Sequence, residues 1–315
     1  MRVAILDDIH HAYERTDGVR RLRERAEVRI FTAPFGDPAA LRGFDALVAN
    51  RERTRFTRAL LAQLPDARII AQTGGHAYHI DLAAAQQQGI VVAKAAGGFS
   101  TGAAELAMGL AIALMRGIPA ADTAVKSGAW PATLGVELHD KTMGIVGFGH
   151  VGRHVARIAA AFGMRVLASS PRLDAQSATS AGVEARALDD LLRDSDVVSV
   201  HAALTPQTRG LIDARRLGLM KPTTYLVNTA RGPIIDEAAL IETLAQRRIA
   251  GAALDVFDTE PLPAGHPLTR LPNVILTPHL GWPTDHRYAQ FADAAADVLL
   301  AHLDGRDVPH FTADH

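Results

Sequence analysis

The stretch Met143–Gly152, reading MGIVGFGHVG, decides how this chain folds. A short run of strand-forming residues passes directly into Gly147-x-Gly149-x-x-Gly152. An amphipathic helix follows, with Val151, Val155, Ile158, Ala159 and Phe162 at helical spacing. Each glycine has its own expected task. Gly147 makes the tight turn out of the strand, Gly149 lets the backbone approach a pyrophosphate, and Gly152 lets the helix pack closely on the sheet. His150 and Val151 open the helix, whose first N–H groups and positive dipole end face the anion. Glycine-rich turns are common, but one set between a strand and a helix is the context a dinucleotide-binding turn requires.

Outward from this stretch, the 315 residues suit about two domains, each with its own core. Charged residues at 21% and hydrophobic residues at 48% are the balance of an ordinary soluble protein. A formal net charge of −1 without a long basic run gives no sign of a nucleic-acid or membrane surface. The absence of cysteine excludes disulfides, thiolate metal sites and cysteine nucleophiles, and fits a reducing cytoplasm. The opening MRVAILDD reaches its carboxylates too soon for a signal-peptide core. The apolar window Leu106–Met115 falls far short of the ~20 residues needed to span a bilayer and reads as a buried helix.

From Met1 to about Ala96, strand candidates Val3–Leu6, Val28–Phe31, Ala46–Ala49, Arg68–Gln72 and Ile90–Ala93 alternate with helical segments. These include Phe56–Ala62 and Leu82–Gln88, and the alternation argues for a parallel sheet. Gly74-Gly75 either presents backbone N–H groups to a small anion or simply turns the chain. The linker Ala96-Gly97-Gly98 and a helix from about Thr101 to Arg116 lead into a second domain. Its strand candidates are Met143–Gly147, Arg165–Ser169, Val197–His201, Tyr225–Asn228, Gly251–Val256 and Val274–Thr277. Six such parallel strands have the expected order 3-2-1-4-5-6. The alanine-rich helix Asp285–Leu303 is expected to return to the first domain.

Ligands of open α/β sheets bind beyond the carboxyl ends of the strands. That edge carries Asn228-Thr229-Ala230-Arg231-Gly232, then Asp255 and Asp258-Thr259-Glu260-Pro261, then Pro278-His279-Leu280-Gly281. The three residue types suit hydride transfer to a keto acid. His279 can exchange the proton of the carbonyl oxygen, since an ordinary histidine titrates near pH 6.5. Glu260 would orient the imidazole, and the planar fork of Arg231 can hold a carboxylate or keto oxygen. Asp255 is a candidate for the nicotinamide carboxamide. Further cofactor-contact candidates on this edge are Ala203, Thr208, Thr229 and Ala230. His201, also at a strand end, is not assigned a catalytic role. His150 and His154 lie one helical turn apart, but no carboxylate partner is evident and no metal site is assigned.

These segments resemble the D-isomer-specific 2-hydroxyacid dehydrogenases, a family that includes glyoxylate/hydroxypyruvate reductases and phosphoglycerate dehydrogenases. ELHDKTMGIVGFGHVGR is similar to the family's cofactor turn, and DVVSVHAALTPQTRGLI to its third strand and following loop. LVNTARGPIIDEAAL, ALDVFDTEPLP and TPHLGW resemble its Arg, Glu and His segments. The resemblance covers nearly the whole chain. It implies an α/β fold of two doubly wound parallel-sheet lobes, the second a Rossmann dinucleotide-binding domain, with substrate and cofactor in the cleft between them. Residues 1–98 plus 285–315 would form the substrate lobe and 99–284 the cofactor lobe. The resemblance also assigns the backbone of Gly74, Gly75 and His76 to the substrate carboxylate, and implies a homodimer formed through the cofactor lobes.

Two departures stand out. Where the family usually has AYDP, this chain has Ala168-Ser169-Ser170-Pro171, so the ribose-binding acid is absent. Ser170 lies about 20 residues beyond the glycine turn, where that acid is expected, and Arg172 adds a cation. NAD(P) is the expected cofactor, with NADP slightly favoured. The first-lobe loop reads TGGHAYHID, with altered glycines. With the chain ending at His315, a serine-regulated phosphoglycerate dehydrogenase is less expected. The expected activity is reduction of a small 2-keto acid, glyoxylate or hydroxypyruvate, to the D-hydroxy acid. The alternative is a nicotinamide-sensing protein like the C-terminal-binding-protein corepressors. Formate dehydrogenase shares the fold, but its formate-binding residues are not found here.

Overall fold

Short apolar runs separated by amphipathic segments form parallel strands covered by helices, because each strand must bury both faces. The computed structural model describes residues 1–95, 97 and 101–313; Ala96 and Gly98 of the expected linker lie outside them. Two compact units result. One comprises Met1–Phe99 with Pro283–His315 and the other Ser100–Trp282.

The first unit holds five parallel strands, β1 (Arg2–Ile5), β2 (Glu27–Ile30), β3 (Ala46–Ala49), β4 (Ile69–Thr73) and β5 (Val91–Ala95), in the order β2-β1-β3-β4-β5. The helix Asp285–Leu303 packs on β4, β5 and the helix Asp17–Arg23. Small residues permit that closeness. Ala292, Ala295 and Ala296 are buried, and a Cβ on Gly18 would lie 2.2 Å from the Ala292 carbonyl oxygen.

The second unit contains seven parallel strands: β6 (Thr142–Val146), β7 (Arg165–Ser169), β8 (Glu184–Ala185), β9 (Val197–Val200), β10 (Tyr225–Asn228), β11 (Gly251–Leu254) and β12 (Val274–Leu276). Successive strand side chains enter opposite cores. Ile145 and Val197 pack on one side with the helix Gly102–Arg116, while Val146 and Val198 pack on the other. The sheet order is β12-β11-β10-β9-β6-β7-β8.

That order corrects the strand count read from the sequence. Val197–Val200 is not third; it pairs with β6, and β8 occupies the third position beside β7. Both residues of β8 are exposed, so no apolar run marks it. With β8 counted, the unit runs 3-2-1-4-5-6-7, and the turns carrying Arg231, Asp255 and His279 follow its fifth, sixth and seventh strands. No single helix among the described residues is long and apolar enough to cross a membrane.

Candidate active site

The glycine turn after β6 has a distinct geometry at each glycine. Gly147 has φ +95°, and a Cβ there would lie 2.4 Å from the Ala202 backbone nitrogen. A Cβ on Gly152 would lie 2.3 Å from the Gly147 carbonyl oxygen. At Gly149 a Cβ would meet nothing within 4 Å, so the space in front of this backbone is open. The helix His150–Ala161 begins there without a side-chain cap, and a helix N-terminus at this turn is where an anion is favoured. These features fit a dinucleotide pyrophosphate. Val151 meanwhile packs its side chain against the core.

Beyond β7, the Leu173 N–H donates to the Ser170 carbonyl at 3.1 Å and closes a turn. Arg172 in this turn is exposed, and no ion pair engages it among the described residues. In the loop after β9, the Thr208 hydroxyl donates to the Ala203 carbonyl at 2.6 Å and accepts from Thr205 N–H at 2.7 Å. Thr208 therefore shapes the loop that presents Ala203.

Sheet register aligns the next three turns. Asn228 lies opposite Leu254, and Leu254 opposite Leu276, so the chain leaves β10, β11 and β12 at one level. Asn228, buried, shapes the first turn. It accepts from Ala230 N–H at 3.0 Å and donates to the Arg231 carbonyl at 3.0 Å. The Arg231 guanidinium is half-buried and donates to the Ala230 carbonyl at 2.6 Å. Within this turn the buried Thr229 hydroxyl has no partner among the described residues.

His279 and Glu260 meet directly. The Nδ1 of His279 lies 2.7 Å from Oε2 of Glu260, while Oε1 of Glu260 accepts from the Phe257 N–H at 2.9 Å. Both side chains remain about one-third exposed, so ring and carboxylate are held but reachable. A carboxylate at Nδ1 makes that nitrogen the donor, and Nε2 makes no hydrogen bond among the described residues. No direct contact joins Arg231 to this pair among the described residues. The link is Gly232, packed against the Phe257–Asp258 backbone.

Asp255 supports His279 from beneath. Its fully buried carboxylate accepts from the Thr277 hydroxyl at 2.5 Å, Leu280 N–H at 2.7 Å and Gly281 N–H at 2.9 Å. Its carbonyl accepts from the His279 N–H at 3.0 Å, holding a non-glycine residue at φ +57°. Three of about four acceptor positions are thus used internally, a supporting role the sequence did not reveal. His201 instead hydrogen-bonds Ser199 Oγ at 2.8 Å, and burial pushes its imidazole down to about 4. A ring kept neutral in this way is a poor proton donor.

In the first unit, Gly74 has φ +97°, and a Cβ on Gly75 would meet nothing within 4 Å. His76 Nε2 lies 2.7 Å from Oε1 of Glu52, and its ring stacks on Tyr78 with centroids 4.4 Å apart. Its Nδ1 is buried without a partner among the described residues. Glu52, which sequence reading missed, carried no local signal because its partner lies on the next turn of the sheet edge.

Comparison with known proteins follows the same lines. Residues 108–281 match the NAD-binding domain of the D-isomer specific 2-hydroxyacid dehydrogenases. A glyoxylate reductase of Aeropyrum pernix is 42% identical over 260 residues, which cover 80% of this chain and 78% of the relative. A D-3-phosphoglycerate dehydrogenase of Methanocaldococcus jannaschii is 36% identical over 306 residues, covering 96% of this chain. The chain spans only 56% of that relative's length. A crystal structure of a phosphoglycerate oxidoreductase from Vibrio cholerae matches with a TM-score of 0.82 at 31% identity, covering 97% of this chain and 99% of that one. The glycine turn, the paired Glu260 and His279 and these likenesses agree: the chain belongs to the D-isomer-specific 2-hydroxyacid dehydrogenase family of NAD-dependent oxidoreductases.

Proposed function

We propose that this protein reduces a small 2-keto acid of the glyoxylate and hydroxypyruvate class to the D-2-hydroxy acid, using NADPH in preference to NADH. The observation that carries this reading is the 2.7 Å contact between Glu260 and Nδ1 of His279, which leaves Nε2 as the ring nitrogen not engaged by Glu260. The bound dinucleotide supplies the hydride. His279 gives the proton to the substrate's carbonyl oxygen from Nε2 and takes it back in the reverse direction. Glu260 fixes the ring, and the Arg231 fork holds the substrate's carboxylate or keto oxygen. The backbone of Gly74, Gly75 and His76 binds the carboxylate.

Gly147, Gly149, His150, Val151 and Gly152 hold the pyrophosphate, and Ser170 and Arg172 face the adenosine ribose. Ala203, Thr208, Thr229, Ala230 and the remaining acceptor position of Asp255 contact the rest of the cofactor. A homodimer through the cofactor-binding unit is supported by its exposed apolar side chains, with Trp130 89% and Leu134 100% exposed. The similarity to the Aeropyrum glyoxylate reductase supports the substrate class. The test is oxidation of NADPH and NADH followed against a panel of 2-keto acids. Turnover of glyoxylate or hydroxypyruvate at enzymatic rates is expected, and none with any keto acid would overturn the reading.

A further inference from the structure

Glu52 stands at the centre of the first unit's carboxyl edge, beside the turn assigned above to the substrate carboxylate. Arg51 donates to it twice, Nε to Oε2 and Nη2 to Oε1, both at 3.1 Å. His76 Nε2 lies 2.7 Å from Oε1, and the Tyr78 hydroxyl donates to the same oxygen at 3.4 Å. Burial alone would favour the protonated acid, but the His76 hydrogen bond and the Arg51 guanidinium outweigh it. They hold the carboxyl well below the usual carboxylate range. Glu52 is therefore an anion at neutral pH, and 26% of its side chain still faces outward.

The surroundings make this anion consequential. Arg53, in the same turn, donates to the Asp7 carbonyl at 2.7 Å and the Tyr288 hydroxyl at 3.0 Å. Arg287 lies over the Phe291 ring, close enough to Arg51 for that charge to act on it. Arg51 packs against the Gly74 turn, with a Gly74 Cβ 3.1 Å from its side chain, and a free arginine charge beside a turn proposed to bind one carboxylate would suit a substrate with two anionic groups. Glu52 alters that balance. It commits Arg51 to a two-point pair, the geometry in which a guanidinium binds an anion most strongly. It also places its own negative charge against His76.

We infer that Glu52 sets the charge class of the substrate, admitting 2-keto acids whose only anion is the carboxylate and rejecting those with a second anionic group such as a phosphate ester. This rests on the proposed assignment of Gly74, Gly75 and His76 to the substrate carboxylate. Glu52 is a direct neighbour of that turn, contacting His76 at 2.7 Å. It is paired with Arg51, whose side chain lies 3.1 Å from where a Cβ on Gly74 would stand, so the Glu52 charge borders a substrate held there. Like charges in a partly desolvated site repel far more than in bulk water, and a repulsive group against the wrong ligand is a general route to specificity.

The test compares kcat/KM for hydroxypyruvate and for its 3-phosphate in wild type, Glu52→Gln and Glu52→Ser. Taking the ratio within each enzyme cancels any loss of folded protein. Wild type is expected to favour the unphosphorylated acid by about tenfold or more. Both variants are expected to move the ratio toward the phosphate ester by about tenfold or more, mainly through its KM. The serine variant removes any hydrogen bond that an amide retains. Wild-type preference for the phosphate ester overturns the inference while leaving 2-keto acid reduction standing. So does a ratio within about twofold of wild type in both variants. Absence of turnover with every 2-keto acid overturns the functional reading itself.

Discussion

A Cβ on Gly232 would lie 2.1 Å from the carbonyl carbon of Phe257, so the turns carrying Arg231 and Glu260 pack backbone against backbone. Only a residue without a side chain allows this approach. Gly232→Ala must push the turns apart, at a cost of about 1–3 kcal/mol. Because the Phe257 N–H holds Glu260 at 2.9 Å, the shift reaches the Glu260–His279 pair. We expect a lower denaturation midpoint and kcat/KM reduced by about tenfold or more, a loss of roughly 1.4 kcal/mol in transition-state stabilisation. Wild-type values for both would mean that the turns tolerate separation.

Replacing His279 with Gln removes the proposed proton donor but keeps a polar side chain of similar reach. The expected result is a fall in kcat of about 10²–10⁴, with the cofactor dissociation constant little changed. Stopped-flow reduction rates and cofactor titration separate the two effects. An unaltered kcat would remove His279 from the proton-transfer step.

Arg231→Lys keeps the positive charge and loses the planar fork. Expected is a collapse of kcat/KM for the keto acid, with cofactor affinity nearly constant. Equal losses in both would place Arg231 on the dinucleotide instead.

The proposed preference for NADPH rests on Ser170 and Arg172. An acid near the end of the second strand normally binds the ribose hydroxyls and repels a 2′-phosphate. Ser170, proposed for that place, offers a neutral hydroxyl, with the exposed Arg172 in the same turn. Wild type should have the higher kcat/KM with NADPH, and Ser170→Asp should shift preference toward NADH. A wild-type preference for NADH of about tenfold would contradict the assignment, as would a variant with unaltered preference.

His201 predicts an acid-sensitive stability. Burial lowers its folded-state pKa from 6.5 to about 4, so between those values the unfolded chain binds the extra proton. Stability contributed by the neutral ring is therefore present above pH 6.5 and lost as pH falls toward 4. The full loss is about 3 kcal/mol at roughly 1.4 kcal/mol per pKa unit. Denaturant melts of wild type and His201→Asn at pH 7 and pH 4.5 should show a smaller acid loss in the variant. Parallel losses would show that other groups govern the acid limb.

The sequence by itself determined those features that carry a strong pattern along the chain, though not the short helices Ile118–Lys126 and Ala175–Ser180. The glycine turn was legible because its strand, its three glycines and its helix are contiguous. The helix Asp285–Leu303 was legible residue for residue, because its apolar period fixes its length. Arg231, Glu260 and His279 could be placed on one edge because parallel α/β units put the turns after their strands at the same end. Only the tertiary structure decided which groups on that edge touch. The two exposed residues of β8 form a strand only because β7 offers an open edge, and this renumbers every later strand. Asp255 faces the turn of His279 because β11 pairs with β12 in one register. Glu52 reaches His76 because β3 lies beside β4. Local periodicity records how each segment meets a core. Contacts between turns depend on strand order and register, which arise only when distant segments pair.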